Sequence, residues 1–247
     1  MSASGGAAPP DRLHDRPDER LYGRRSGHRL RARQRRLLEF TLPRLRLTPA
    51  HATAPEAAFA RHPAALWLEI GFGAGEHARG FLAGHPDAAL IACEVFRNGL
   101  CSLLGRLVAE GEEATGPLPG MLRLWDEDAR RLLPLLPERC LDGVVLLFPD
   151  PWPKARHVRR RFVHPDNLGP LARAMMPGGE WRIASDDPVQ QAWVAAVLRG
   201  DPRFSDSTPL AARPPDWPPT RYEAKALAAG RSPRYWSVRR TCAPVLD

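Results

Sequence analysis

The chain has 247 residues, enough for one α/β domain with a full core or for two small domains. Its 36 Lys and Arg against 28 Asp and Glu leave a formal charge of +8 and an isoelectric point near 10.1. That excess suits a polyanionic partner such as nucleic acid or an anionic membrane surface, or no more than a soluble basic exterior.

Residues 1 to 19 are small, Pro-rich and charged, too poor in apolar side chains to offset the entropy of ordering, and read as a disordered tail. Residues 20 to 62 read as a basic arm, because "RRSGHRLRARQRR" from Arg24 to Arg36 carries seven arginines and no acid. Such a run is either a solvated helix face or an arm laid along phosphates. No apolar run approaches the roughly 18 residues of a membrane span, and the start lacks the apolar stretch of a secretory signal. Cys93, Cys101, Cys140 and Cys242 form neither a C-x-x-C pair nor a zinc-ligand spacing. A cytoplasmic protein with reduced thiols, no metal and no membrane anchor is expected, and either a monomer or a homodimer is compatible with the chain.

From residue 63 to 247 short apolar strands alternate with helical stretches, the pattern of βαβ units around a parallel sheet. The expected strands are "ALWLEI" ending at Ile70, "AALIACEV" at Val95, "MLRLW" at Trp125, "LDGVVLLF" at Phe148 and "EWRIAS" at Ser185, with "RYWSVRR" as a last strand. Helices are expected to start near Glu76, Arg97, Ala129, Pro165 and Pro188, with an inserted surface loop at "EGEEATGPLPG" before Met121. "RPPDWPPT" at 213–220 holds too many prolines for a helix or a central strand.

In open α/β sheets ligands bind beyond the carboxyl ends of the strands, and this chain keeps its acids there. After the first strand comes Glu69-Ile70-Gly71-Phe72-Gly73-Ala74-Gly75-Glu76. Glycines permit positive φ and close approach to a ligand, although a glycine turn can also be a mere tight connection. The spacing G-x-G-x-G differs from the G-x-G-x-x-G of dinucleotide sites, and an acid on each side would repel a diphosphate. A dinucleotide dehydrogenase therefore fits poorly. Glu94, 19 residues after Gly75, stands where a carboxylate can accept both hydroxyls of a ribose. Asp126, Glu127 and Asp128 follow the third strand; one of them could accept from an adenine amino group, or Asp128 could cap the next helix, or do both.

The fourth strand runs into "FPDPWPKARHVRRRF", in which Asp150 stands between Pro149 and Pro151. With Glu69, the glycine turn, Glu94, Asp128, "PGGEWRIASDD" and "TRYE", this run resembles the bacterial tRNA (guanine-N7)-methyltransferase family over roughly residues 20 to 240. The Phe-Pro-Asp-Pro-Trp-x-Lys-x-Arg-His run is specific to that family, whereas the glycine turn is shared by many enzymes that use S-adenosylmethionine (SAM). The resemblance implies a class I SAM-dependent methyltransferase fold: a Rossmann-like, mostly parallel seven-stranded sheet with helices on both faces. It also implies SAM as cofactor, tRNA as partner and methylation of the variable-loop guanine numbered 46. It places Glu69, Gly71, Gly73, Gly75, Glu94, Asp128 and Asp150 at the cofactor, with Asp150 catalytic. On the RNA side it places Lys154, Asp186, Thr220, Arg221, Tyr222 and Glu223, with Arg156, His157, Arg159, Arg160 and Arg161 on the backbone.

Guanine N7 carries a lone pair and no proton, so its methylation needs no strong base; positive charge builds on the purine instead. A carboxylate held nearby by two prolines can stabilise that charge. Trp152 offers a stacking face or a core anchor. Thr220-x-x-Glu223 is also a capping-box signature. Two rivals remain: a methyltransferase acting on an exocyclic amine, whose D/N-P-P-aromatic motif this chain lacks, and a basic RNA-binding module without activity, which would not need acids aimed at a polyanion.

Overall fold

The computed structural model describes residues 27–205 and 208–244, so the expected tail at 1–19 and the first arginines of the arm lie outside the described residues. The described chain forms α1 (Ala32–Arg36), a π-helical turn (Leu37–Thr41), α2 (Leu42–Leu45), α3 (Pro49–Ala52), β1 (Ala65–Ile70), α4 (Glu76–Gly84), β2 (Ala88–Cys93), α5 (Arg97–Leu107), β3 (Leu122–Trp125), α6 (Ala129–Leu132), β4 (Leu141–Leu147), α7 (Pro165–Ala174), β5 (Met175–Ser185), α8 (Pro188–Arg199), α9 (Arg221–Ala228) and β6 (Arg234–Arg239). One sheet runs in the order β3-β2-β1-β4-β5-β6. Its pairings are parallel except for β6, which is antiparallel to β5.

Parallel strands covered on both faces bury every position, which is why β2 reads as an unbroken apolar run. Ala89, Ile91 and Cys93 point into one core with Leu66, Leu68, Leu132, Leu171 and Val194. Ala88, Leu90 and Ala92 face the other, with Trp67, Phe81, Leu103 and Leu37. The period of two thus divides α6, α7 and α8 from the π-helical turn, α2, α4 and α5.

The seven strands expected are six among the described residues. Beyond β6 the described residues make isolated bridges, Phe204 to Arg240 and Leu210 to Tyr235. Pro209, Pro214 and Pro215 bring no N–H with which to continue a ladder there. β2 stops at Cys93, short of the expected Val95, and β4 at Leu147, short of Phe148, because both chains turn off to build the rim. β5 starts at Met175, earlier than "EWRIAS", with a register shift opposite Leu141 and Gly143.

Residues 32–47 are part of the fold: Leu37, Leu42, Leu45 and Leu47 are each 3% exposed or less. The insertion before β3 is tied down on them. Thr41 Oγ1 donates to the Glu113 carbonyl at 2.7 Å and Arg44 to that of Gly116 at 2.8 Å. The buried Glu113 carboxylate pairs with Arg33 and Arg36, both at 3.3 Å. Two arginines of the basic run, themselves part-exposed, are therefore engaged by a buried carboxylate of the fold.

Candidate active site

The strand order reverses between β1 and β4, and a cleft of about 340 Å³ opens beyond their carboxyl ends. The connection out of β1 forms one wall. Gly71, Gly73 and Gly75 have φ of 74°, 60° and 81°, so the alternate-glycine spacing records three left-handed residues in five. A Cβ on Gly99 would stand 2.4 Å from the Gly73 carbonyl oxygen, so α5 can start against this turn only with glycine there. Tyr222 closes over it; a Cβ on Gly73 would lie 3.0 Å from its ring.

Glu94, the first residue after β2, is 9% exposed. One oxygen accepts the N–H of Gly73 at 2.8 Å and the other that of Phe96 at 2.9 Å, which fixes the carboxylate plane against the glycine turn. Burial pushes its pKa up from the ordinary value, backbone N–H groups pull the other way, and Asp150 adds a smaller upward push. After β3, Asp128 lines the cleft and caps α6: it accepts from Arg130 N at 2.9 Å and from the Arg130 side chain at 2.8 Å. Both carboxylate oxygens thus accept from Arg130. Asp126 is drawn away into a two-bond pair with Arg46, at 2.7 and 2.9 Å.

The fourth connection supplies the opposite wall. Phe148 leaves β4 with φ 51° and Trp152 has φ 43°, two non-glycine residues in the left-handed region on either side of Asp150. Asp150 is exposed and faces the cleft together with Phe148, Pro149, Trp152, Arg160 and Phe162. The Arg160 guanidinium lies 4.7 Å from the Trp152 ring centroid and His157 stands edge-on at 5.7 Å, so two neighbours already flank that ring. Desolvation first, then Arg160, Arg156 and Lys154, hold the His157 pKa below its ordinary value.

Of the residues expected at the site, Gly71, Gly73, Glu94, Asp128, Asp150, Arg160 and Tyr222 line the cleft. Glu69 does not: it is 3% exposed beneath the glycine turn, with its carboxylate 3.1 Å from the buried His77 of α4. Gly75 serves as N-cap of α4. Lys154, Arg156 and Arg159 are exposed outside the cleft. Arg161, expected on phosphates, is instead 4% exposed and donates to the carbonyls of Pro151 and Trp152. Its guanidinium is occupied within the fold.

Asp186 pairs with Arg231 at 2.8 Å. Arg221 stacks on Tyr222 at 5.0 Å. Thr220 caps α9, accepting from Glu223 N at 3.1 Å, but Glu223 does not complete a capping box. Its carboxylate turns inward to the Tyr235 hydroxyl at 2.8 Å and Arg213 at 3.0 Å. Sequence reasoning passed over Arg130, Phe96 and Phe162 at the cleft. Only Arg130 had a signal, being the N2 residue after a capping Asp. A wider cleft of about 660 Å³, bordered by Glu56, Arg61, His62 and Arg139, is built from residues that precede β1 and β4 and holds none of the strand-end acids.

Residues 63–234 match a family model described as "Putative methyltransferase". A tRNA (guanine-N(7)-)-methyltransferase of Granulibacter bethesdensis is 58% identical over 233 residues, 94% of this chain and 100% of that protein. The proteins of the same name from Paramagnetospirillum magneticum and Rhodospirillum rubrum are 45% and 44% identical, each over 90% of this chain and over 92% and 88% of their own. Among solved structures, the 16S rRNA methyltransferase KamB shares the fold at a TM-score of 0.54 and 14% identity, covering 79% of this chain and 94% of that one.

Proposed function

Because the chain belongs to the tRNA (guanine-N(7)-)-methyltransferase family, we propose that it transfers the methyl group of SAM to N7 of the variable-loop guanine at position 46 of tRNA. The observation that carries this reading is the convergence of Glu94, Asp128 and Asp150 on one cleft at the β1/β4 switch point, walled by the glycine turn and the Phe148–Trp152 loop.

The residues present suit SAM. Each Glu94 oxygen accepts one backbone N–H and keeps a lone pair for a ribose hydroxyl. Asp128 stands next along the rim, where we assign it to the base, and Gly71 and Gly73 leave the backbone open to close approach. When bound, SAM supplies an electrophilic methyl group on a sulfonium. Guanine N7 would contribute its lone pair to the new N–CH3 bond as the S–CH3 bond broke, so that the positive charge would pass from sulfur to the purine. No proton moves.

Asp150 provides a negative charge beside the ring that becomes cationic, which favours the transition state over the neutral ground state. Its place at the mouth of the cleft, exposed in the free protein, leaves it open to an incoming base. Tyr222, over the glycine turn, borders the same opening. Lys154, Arg156 and Arg159 lie outside it and would meet the phosphates flanking the target nucleotide.

The test is incubation with methyl-labelled SAM and unmodified tRNA transcripts, followed by mapping of the modified nucleotide. Label at the variable-loop guanine as the alkali-labile, cationic N7-methylguanosine is the expected result. An alkali-stable N2-methylguanosine, or undiminished label in a transcript lacking that guanine, would overturn the assignment.

A further inference from the structure

Arg161 lies at the end of a basic run whose Lys154, Arg156 and Arg159 are exposed, yet it is turned into the fold and 4% exposed. Its Nε donates to the Pro151 carbonyl at 3.1 Å and its Nη2 to the Trp152 carbonyl at 3.0 Å. The guanidinium lies 5.0 Å from the ring centroid of Trp193 on α8, which itself donates to the Val163 carbonyl. Among the described residues no carboxylate forms an ion pair with it. Burying a guanidinium is costly; here the Asp187 carboxylate acts on it only from beyond ion-pair distance, and the direct hydrogen bonds come from the backbone of a single loop.

That loop is strained. Phe148 and Trp152, two positions to either side of Asp150, both have positive φ without being glycine. Such conformers persist only where the surroundings over-determine them. Arg161 grips the loop's far end from inside, and Arg130 holds the segment that follows, donating to the Arg160 carbonyl at 2.9 Å while paired with Asp128 at 2.8 Å.

We propose that Arg161 is a positioning residue for the methyl transfer: its two-armed donor fixes the carbonyls of Pro151 and Trp152 and so holds Asp150 in the orientation from which it meets the guanine. The proposal rests on the reading of Asp150 given above. It separates Arg161 from the phosphate-binding arginines beside it.

Arg161→Lys keeps the charge but replaces a planar fork by a single ammonium. Its single-turnover rate at saturating SAM and tRNA is expected to fall about tenfold or more, since small misplacements at a reacting centre are costly. Arg161→Ala should leave the slope of log tRNA affinity against log salt unchanged, and added guanidinium ion should restore part of its rate where sodium chloride does not. In an Asp150→Asn background, Arg161→Lys should slow transfer by no more than about twofold further, because groups acting as a unit are not additive. A wild-type rate in Arg161→Lys beside a slow Asp150→Asn overturns the positioning role alone. A wild-type rate in Asp150→Asn removes the reading of Asp150 and this proposal with it. A smaller salt slope for Arg161→Ala makes the residue a phosphate contact and overturns the proposal. If the Arg161 variants do not fold, Trp193→Leu removes the face behind the guanidinium; a rate reduced about threefold or more at unchanged tRNA affinity supports the proposal, and a wild-type rate overturns it.

Discussion

Glu94 sits at a strand end where burial and function oppose each other. Its pKa is raised from an ordinary 4.5, chiefly by desolvation. A carboxylate raised in the folded state costs stability above that pKa, and the cost fades as pH falls through it. With Glu94 holding the ribose as proposed, cofactor affinity should move the other way, because the hydroxyls would need the ionised acceptor. Titration with the demethylated cofactor at falling pH should show wild-type affinity declining sooner than an ordinary exposed glutamate would dictate, with Glu94→Gln weak at neutral pH and flat below it. Glu94→Ala should weaken binding about tenfold or more, since hydrogen bonds to a charged group are each worth roughly 1.5–3 kcal/mol, while tRNA affinity stays nearly intact. For Asp150→Asn the expected change is kinetic. Both ligands bind, and single-turnover transfer slows by roughly two orders of magnitude, as when a preorganised charge is removed from a transition state. A rate within about threefold of wild type would make Asp150 a turn residue.

Two elements show how a local sequence signal can be half right. Thr220-x-x-Glu223 is the signature of a capping box, and Thr220 does cap α9. The Glu223 carboxylate is nonetheless taken by Arg213 and Tyr235, partners 10 and 12 residues away in sequence. Burial and then that carboxylate raise the Tyr235 pKa well above its ordinary value. Glu223→Gln should therefore lower thermal stability as well as transfer, because it discharges the acceptor of a part-buried guanidinium. Unchanged melting would mean that the pair with Arg213 contributes nothing.

The insertion before β3 is the second case. The Arg36 guanidinium leads the groups that hold Glu113 below the ordinary carboxylate range. A depressed carboxylate contributes stability that is present above its unfolded pKa and lost as pH falls through the folded one. Glu113→Gln should thus melt below wild type at neutral pH, and the gap should close in acid. A gap that persists unchanged in acid would place the effect in packing rather than charge.

Among the described residues the positive charge divides into cations bound by the fold's own acceptors and cations that stand exposed. Arg33, Arg36 and Arg161 serve the fold, whereas Lys154, Arg156 and Arg159 stand exposed beside the Asp150 loop. Replacing an exposed member by Ala should weaken all tRNAs about equally and lower the salt slope by up to about 0.7–0.9 per lost contact. Slopes equal to wild type would make that side chain a solvated cation.

The strands and the starts of α4 to α8 were readable from sequence because each depends on a local pattern: apolar periodicity, the cap at Asp128, and Pro165 and Pro188 at first helical turns. Gly71, Gly73 and Gly75 were readable too, since no other residue adopts three left-handed conformations so cheaply. Tertiary structure decided which charges face outward. Whether an arginine meets phosphate or a carbonyl ten residues back, and whether Asp126 or Asp128 turns to the cleft, depends on partners such as Arg46, Glu113 and Trp193, brought near by folding over 32 to 80 residues of chain. A sequence specifies such a side chain's charge locally, but its partner only through the packing of the whole sheet.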